Sequence, residues 1–533
     1  MGERKLEDGR QSHMKHPSIK DPAILIVILF LAAVGAIIGV QLITSLGISA
    51  NTSIVGAVFA MILARIPLRQ LIKFRSIHSQ NLVQTAISAA TFGAASSLIL
   101  PIGIPYVLGM EQLIIPLFIG VILAMFVDAL LLYKFFDTKV FPAKEAWPPG
   151  IATAEAIKAG DEGGKRAKYL LSGIGIGIVG SIFKIPMSAF GVAFIGNIWA
   201  LSMFGIGLLV SSYSPAVFGL NLDDYYVPHG FMIGAGVVAL VQVLVLIFKK
   251  NKQSSKKEEV YQVKSTKEIG QGFGYGFVAY ATISIIMAAA GGLYTHMSPV
   301  MMIGFILFAA IAAFAHELIV GIAAMHAGWF PAFAVALITL IIGILIGFPI
   351  EALAMLAGFS ACTGVAFADM GYDLKTGFML RGNGKDPHFE KEGRRHQLFA
   401  AIVGFSVAAV IVLFTFHHYF SQGLVPPINH VYAATIQSGV SSDIAVHLML
   451  WAIPGGLLQL VGGSSKQLGI LFSTGLLLTN ALAGWAVLIG IIIRIIVLKY
   501  APKQEQNMTI MAAGIIAGDA IYSFLSSIVK IGK

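Results

Sequence analysis

The residues most able to do chemistry in this chain are few, and most fail on spacing. His316-Glu317-Leu-Ile-Val320 begins like H-E-x-x-H, in which two histidines on one helix face hold zinc around a general base. Position 320 is valine, and His326 is ten residues on from His316, too far to share that face. Gly175-Ile-Gly177-Ile-Val-Gly180 fits G-x-G-x-x-G. It lies in an apolar run with no strand before it, so it reads as a small-residue packing face and not a dinucleotide loop. The single cysteine, Cys362, can form neither an intrachain disulfide nor a thiolate cluster. No nucleophile elbow and no P-loop is present. The sequence therefore nominates no catalytic residue, no metal ligand and no cofactor, and it reads as a non-enzyme.

Ionisable groups inside apolar runs are the better clue, because charge near a bilayer centre is costly and usually serves a pathway. The candidates are Asp128, Glu155, Glu317, Glu351, Asp369 and Asp519. Asp128, Glu351 and Asp369 fall near expected span ends, where interfacial water would solvate them. Glu317 with His316, and Asp519, fall deeper; they are the proton-coupling candidates, set against a plain buried hydrogen bond. Asn81, Gln84 and Thr85 form one helix stripe at i, i+3 and i+4, able either to glue helices together or to line a solute path.

These side chains must be held by membrane helices. Of 533 residues, 57% are hydrophobic and only 12% charged, against roughly 25% charged in a soluble domain. Apolar runs of close to 20 residues recur, the length that crosses a bilayer core of about 30 Å. The expected spans are 23–46, 50–64, 81–100, 114–133, 169–187, 190–212, 230–248, 270–293, 299–320, 329–348, 351–370, 398–418, 446–462, 468–493 and 508–529. The first is too long for a signal-peptide core. The net charge of +10 does not point to nucleic acid. Lys and Arg cluster in the N-terminal tail, 65–75, 134–168, 249–267, 373–397 and 494–503, and are missing from 45–52, 101–113, 213–229, 294–300 and 419–445. By the positive-inside rule the basic blocks, and with them the N-terminus, face the cytoplasm.

Counting sides exposes a conflict. Between the basic blocks at 168 and 249, and again between 397 and 494, three spans join two ends on the same side. One extra crossing or broken helix in each half repairs this, and Ser202–Leu220 and Ile428–Gly439 are the candidate places. Shared motifs support a duplication: Gly164-Lys-Arg166 with Gly393-Arg-Arg395, and Gly230-Phe-Met-Ile-Gly234 with Gly514-Ile-Ile-Ala-Gly518. The expected organisation is a tail at 1–22, a first transmembrane repeat at 23–248, a basic linker at 249–269 and a second repeat at 270–533. Repeat-built transporters place their sites at the repeat interface and use discontinuous helices.

The stretch KEAWPPGIATAEAIKAGDEGGKRAKYLL, 144–171, is too polar to span. Pro148 and Pro149 permit a helix just after them, so Gly150–Ala159 reads as a short helix closed by Gly160, dipping into the membrane or lying at its surface. Its N-terminus would favour an anionic or carbonyl-bearing solute.

At this point the sequence resembles a family. Trp147-Pro-Pro-Gly-Ile-Ala-Thr-Ala-Glu-Ala-Ile157 is similar to the proline-small-A-T-A segment of the oligopeptide transporter (OPT) family, which includes the yellow-stripe-like branch. Asp373-Leu-Lys-Thr-Gly377-Phe resembles its D-L-K-T-G-[YF] segment, Asn81-Leu-Val-Gln84-Thr85 its E-N-x-V-Q-T segment, and Gly514-Ile-Ile-Ala-Gly518-Asp519 its late G-L-I-x-G-E segment. The order agrees over about residues 25–530. Gln80 stands where the family often has Glu, and Asp519 replaces the late Glu. The resemblance implies about sixteen spans and proton-coupled import of small peptides or metal chelates, with a homodimer by family analogy alone.

The expectation is an all-α polytopic membrane protein of about 15–16 transmembrane helices, in two homologous halves with re-entrant or broken helices. It is expected in a prokaryotic plasma membrane, as a secondary transporter working by proton symport and alternating access. Its partners would be a peptide or peptide-like, siderophore-type chelate, protons and the lipid bilayer. Expected substrate-binding residues are Asn81, Gln84, Thr85, Thr153, Glu155, Asp373, Lys375 and Thr376; expected proton-coupling residues are Glu317, His316 and Asp519. A sodium-coupled symporter of another organic solute, and a membrane enzyme or channel, remain as alternatives.

Overall fold

In lipid every backbone polar group must be satisfied within the protein, and helices do this locally. The computed structural model describes residues 16–46, 69–248, 266–328, 332–439, 442–478 and 480–531. The expected span at 50–64 and most of the expected tail and linker lie outside the described residues. Among the described residues, ten helices are long and apolar enough to cross a membrane. An isolated bridge between Phe136 and Phe141 is the nearest thing to a strand there. The chain is an all-α polytopic membrane protein.

The first part comprises α1 (Pro22–Leu46), α2 (Ile77–Phe92), α3 (Leu100–Val107), α4 (Ile114–Phe135), α5 (Pro148–Glu162), α6 (Gly164–Ile182), α7 (Met187–Ala193), α8 (Ile198–Phe218) and α9 (Val227–Phe248). The second comprises α10 (Thr266–Ala290), α11 (Pro299–Ala327), α12 (Ala332–Ile346), α13 (Ile350–Cys362), α14 (Val365–Leu380), α15 (Pro387–Ser421), α16 (Ile428–Ser438), α17 (Ser442–Lys466), α18 (Leu468–Leu478), α19 (Ala481–Tyr500) and α20 (Glu505–Ile531).

Two 31-residue runs form the centre, Ile77–Val107 and Ile350–Leu380, and their apolar windows are 100% and 89% buried. Each is interrupted. A π-helical stretch, Gly93–Ile99, joins α2 to α3, and Thr363 with Gly364 separates α13 from α14. Gly364 has φ +87°, a left-handed conformation that favours glycine. Since α2 packs on α14 and α3 on α13, the two runs lie antiparallel.

The outer helices cross through glycine. A Cβ on Gly173 would collide with the Met511 carbonyl oxygen and lie 2.9 Å from the Gly514 Cα; one on Gly177 would lie 3.0 Å from the Gly518 Cα. The backbones of α6 and α20 therefore touch directly, as small-xxx-small crossings in membranes do. This accounts for Gly177 of the G-x-G-x-x-G stretch, whereas Gly175 faces open space.

The packing pattern of these helices survives exchange of the segments 164–248 and 442–531. Helix α9 packs on α17 as α20 packs on α6, α9 on α18 as α20 on α7, and α8 on α18 as α19 on α7. Gly230–Gly234 and Gly514–Gly518 fall on corresponding helices, α9 and α20. Gly164–Arg166 and Gly393–Arg395 do not: the first opens α6, while the second lies inside α15.

Several expected boundaries are corrected. Ser202–Leu220 holds no break, since α8 runs on from Ile198 to Phe218 with Pro215 in its last turn. The breaks fall where single spans at 190–212 and 468–493 were expected: α7 is separate from α8, and α18 from α19. Each break is a few residues ending in an N-capping asparagine, Asn197 or Asn480, inside a long apolar run, so a hydropathy average does not register it. Ile428–Ser438 is a separate short helix, α16. The expected helix Gly150–Ala159 extends over Pro148–Glu162 and closes at Gly163, φ +68°. Asp373–Gly377, read as part of a basic loop block, lies within α14 and is buried.

Candidate functional site

Helix spacing on α2 puts Asn81, Gln84, Thr85 and Ser88 on one face, and on α14 it puts Asp369 and Asp373 one turn apart. All six are 0–1% exposed. The antiparallel packing sets these stripes against each other. Gln84 Nε2 donates to Asp373 Oδ1 at 2.5 Å, and Ser88 Oγ donates to Asp369 Oδ1 at 2.5 Å. Asn81 Nδ2 donates to Gln84 Oε1 at 3.0 Å. From α15, Gln397 Nε2 donates to the Asp373 carbonyl at 2.7 Å and to Thr85 Oγ1 at 3.3 Å.

This lane is short of donors. Asn81 Oδ1, Asp369 Oδ2 and Asp373 Oδ2 are buried without a hydrogen-bond partner, as is the Tyr372 hydroxyl of the same helix. A buried acceptor left unmade costs about 1–3 kcal/mol. Two carboxylates with spare oxygens in apolar surroundings suit an ammonium group or another cation of a solute. No group of side chains suited to a metal ion occurs among the described residues. An apolar groove of about 330 Å³ lies elsewhere, lined by Tyr169, Ile176, Phe190, Phe194, Val497 and Met511, and carries none of these groups.

The other face of α14 meets α5. Lys375 Nζ donates to the Ala143 carbonyl at 2.8 Å, and Thr376 Oγ1 to the Gly150 carbonyl at 3.1 Å. Thr153 bonds back to Pro149 within α5. Glu155 is paired with Arg166 and, at 3.7 Å, with Lys158. Of the eight expected substrate residues, Asn81, Gln84, Thr85 and Asp373 thus come together in the lane. Lys375 and Thr376 instead belong to the α5–α14 seam beside it, while Thr153 bonds within α5 and Glu155 ties α5 to Arg166 of α6. Beside this seam, burial pushes the Glu145 carboxyl up from its ordinary value, with Lys375 opposing.

The expected proton-coupling residues separate. His316 has both ring nitrogens engaged, Nε2 with Thr339 Oγ1 at 2.7 Å and Nδ1 with the Ser360 carbonyl at 3.1 Å and Thr363 Oγ1 at 3.2 Å. Asp519 accepts from Ser181 Oγ at 2.5 Å and from the Ser188 backbone N–H at 2.9 Å, so it closes the N-terminus of α7. Glu317 points elsewhere, to Tyr280 of α10, whose hydroxyl oxygen lies 2.5 Å from both Glu317 Oε1 and Asp128 Oδ1. Asp128 Oδ2 accepts the Gly364 N–H at 2.7 Å.

Asp128 and Asp369 are therefore not solvated at an interface, as expected from their places in the spans, but are 0% and 1% exposed. Span ends are poorly located by hydropathy, and α14 continues ten residues past the expected end at 370. Tyr280, Ser88 and Gln397 were not singled out by the sequence. Ser88 continues the 81–84–85 stripe at i+7, a signal that was available; Tyr280 and Gln397 gave none.

The family model described as OPT oligopeptide transporter protein matches residues 23–249 and 224–530. A comparison with curated proteins gives no match. With its all-α membrane architecture, and with the family match spanning nearly the whole chain, this protein belongs to the OPT oligopeptide transporter family and is a multi-pass membrane transporter.

Proposed function

We propose that the chain is a secondary active transporter that imports small peptides or peptide-like metal chelates by proton symport and alternating access. The observation that carries this reading is the buried α2–α14 lane, where Asp369 and Asp373 each keep an oxygen without a partner. Such acceptors favour the ammonium group of a peptide or the cationic part of a chelate. Asn81, Gln84, Thr85, Asp369 and Asp373 would contact the solute. Helix α5 and its seam with α14, with Thr153, Glu155, Lys375 and Thr376, would move as the gate beside them. The two halves would act as repeats rocking against each other around this lane. The ends bearing Arg166, Arg381 and Arg394 would face the cytoplasm of a prokaryotic plasma membrane, and the unit would be a homodimer.

The test is solid-supported-membrane current from the protein in liposomes. The panel holds di- to hexapeptides and iron chelates, with and without an inward pH gradient at fixed sodium. Solute-dependent currents that grow with the gradient are expected. Currents that follow sodium and ignore pH would replace proton symport with sodium symport, and flux without accumulation would replace it with a channel.

A further inference from the structure

We propose that Asp128, Tyr280 and Glu317 form a proton-binding site that carries the coupled proton, beside the break between α13 and α14. This rests on the proton-symport reading above.

Counting hydrogens carries the argument. The Tyr280 oxygen lies 2.5 Å from a carboxyl oxygen on each side, one from Asp128 and one from Glu317. Both distances are those of hydrogen bonds. A phenol has one hydrogen and can donate only once. The second contact therefore needs a hydrogen on a carboxyl group. Asp128 already accepts the Gly364 N–H on its other oxygen, which favours its ionised form as an acceptor. Glu317 is then the acid. It donates from Oε1 to the phenol oxygen, and Tyr280 donates to Asp128. Glu317 Oε2 has no partner, which leaves a position from which the proton can arrive or leave. All three side chains are 0–1% exposed, and none of the ion pairs among the described residues includes either carboxylate. Removing the proton would leave two buried anions around one hydroxyl, which such surroundings disfavour.

The other candidates lack this arrangement. Both nitrogens of His316 are bonded to neutral groups, and Asp519 is held by two donors. The triad also has a mechanical connection. Asp128 holds the Gly364 N–H at the start of α14, and α14 carries Asp369 and Asp373 into the lane. Loading adds one proton to the Glu317 carboxylate and changes the net charge of the triad from −2 to −1. Release returns that proton and leaves Tyr280 with one hydrogen for two anions. The Asp128–Gly364 bond must then readjust, at the left-handed residue where α14 begins.

The test uses the full chain in liposomes without solute, read by infrared difference spectra between light and heavy water and between pH 5 and pH 9. A carbonyl stretch from a protonated carboxyl is expected in the wild type and lost in Glu317→Gln. Its titration midpoint should shift by at least one pH unit in Tyr280→Phe, which keeps the ring and removes the hydroxyl. A spectrum of Glu317→Gln that retains the wild-type band would overturn the site. If that variant fails to assemble, an unshifted midpoint in Tyr280→Phe overturns it. Tetra-alanine currents on wild-type liposomes separate this from the function itself. A band that behaves as expected beside currents indifferent to the pH gradient would overturn symport and the carrier role together. Gradient-driven currents beside an unaltered band in the variants would overturn only this site.

Discussion

Two buried polar regions share the central helices and are built on opposite rules. At one end of α14, Arg381 makes a two-pronged pair with Glu390, Nε to Oε2 at 2.8 Å and Nη2 to Oε1 at 3.0 Å. Glu390 also takes Arg394 at 2.6 Å, and Arg394 reaches Asp137 at 3.1 Å. The opposite charges hold the Glu390 carboxyl and Asp137 with guanidinium groups that match their planar geometry. In the lane and the triad, Asp369, Asp373, Asp128 and Glu317 have only neutral partners, and all but Asp128 keep an unfilled oxygen. Charge that is fully paired ties elements together; charge left with neutral partners is free to change its proton or its ligand. The contrast separates the buried groups that hold the fold from those proposed to work.

The comparison is broken first at its structural side. Arg381→Met removes one partner of a buried pair and leaves Glu390 and Gln397 facing an apolar chain, a loss of about 3–5 kcal/mol. The thermal transition of the detergent-solubilised protein should fall sharply, and an unchanged transition would mean the network contributes little. Gly364→Ala is next. Its φ of +87° would strain an added Cβ by about 1–2 kcal/mol, and that Cβ would meet the Val320 side chain at 3.0 Å. Asp373→Asn should be smaller in stability, within about 1 kcal/mol, since Gln84 retains a carbonyl acceptor. Its uptake of tetra-alanine should nevertheless drop at least about tenfold, which corresponds to about 1.4 kcal/mol. If Asp373→Asn instead destabilises as Arg381→Met does while uptake per folded molecule is kept, the lane is a structural element like the arginine network.

Much of this was legible in the sequence. The polar stripe on α2 and the D-L-K-T-G segment on α14 come from helical spacing and from resemblance, and the structure sets Gln84 against Asp373. The side-counting conflict called for an extra segment in each half; in the second half the expected place holds one, α16, but in the first Ser202–Leu220 does not, because α7, like α18, is a short apolar piece that hydropathy merges with its neighbour. Glu317 stood out as a charge in an apolar run. Its partner did not, since Tyr280 is an ordinary aromatic until tertiary packing brings α4, α10 and α11 together. Asp519 shows the converse. It looked like a working carboxylate on its helix, and its use became visible only when Ser188 of α7 presented a backbone N–H to it.

The smallest expected effect lies at the N-terminal approach to α1 and tests whether burial beside other basic groups makes a histidine titrate usefully. His16 is 2% exposed. Its ring stacks on His396, with centroids 5.6 Å apart, and lies 5.3 Å from both His78 and Phe389. Burial pushes its imidazole down from its ordinary 6.5 to about 3, the Arg381 charge and the two neighbouring histidines adding to this against the Pro17 carbonyl. Lys20 and Arg395 add positive charge around His396, and Glu392 opposes them. Since the docked form binds fewer protons than the free segment, docking is strongest above pH 6.5. It weakens as pH falls through the window toward about 3, by at most about 1.4 kcal/mol per pH unit. Asp21 does not share this window, because its bond with Lys73 lowers its carboxyl below the usual range. Hydrogen exchange over residues 16–31, corrected for the intrinsic effect of pH, should quicken between pH 7.5 and pH 5.5 in the wild type and change less in His16→Phe. Equal pH responses in the two proteins would assign the titration to His78 or His396, on α2 and α15, and leave His16 as packing alone.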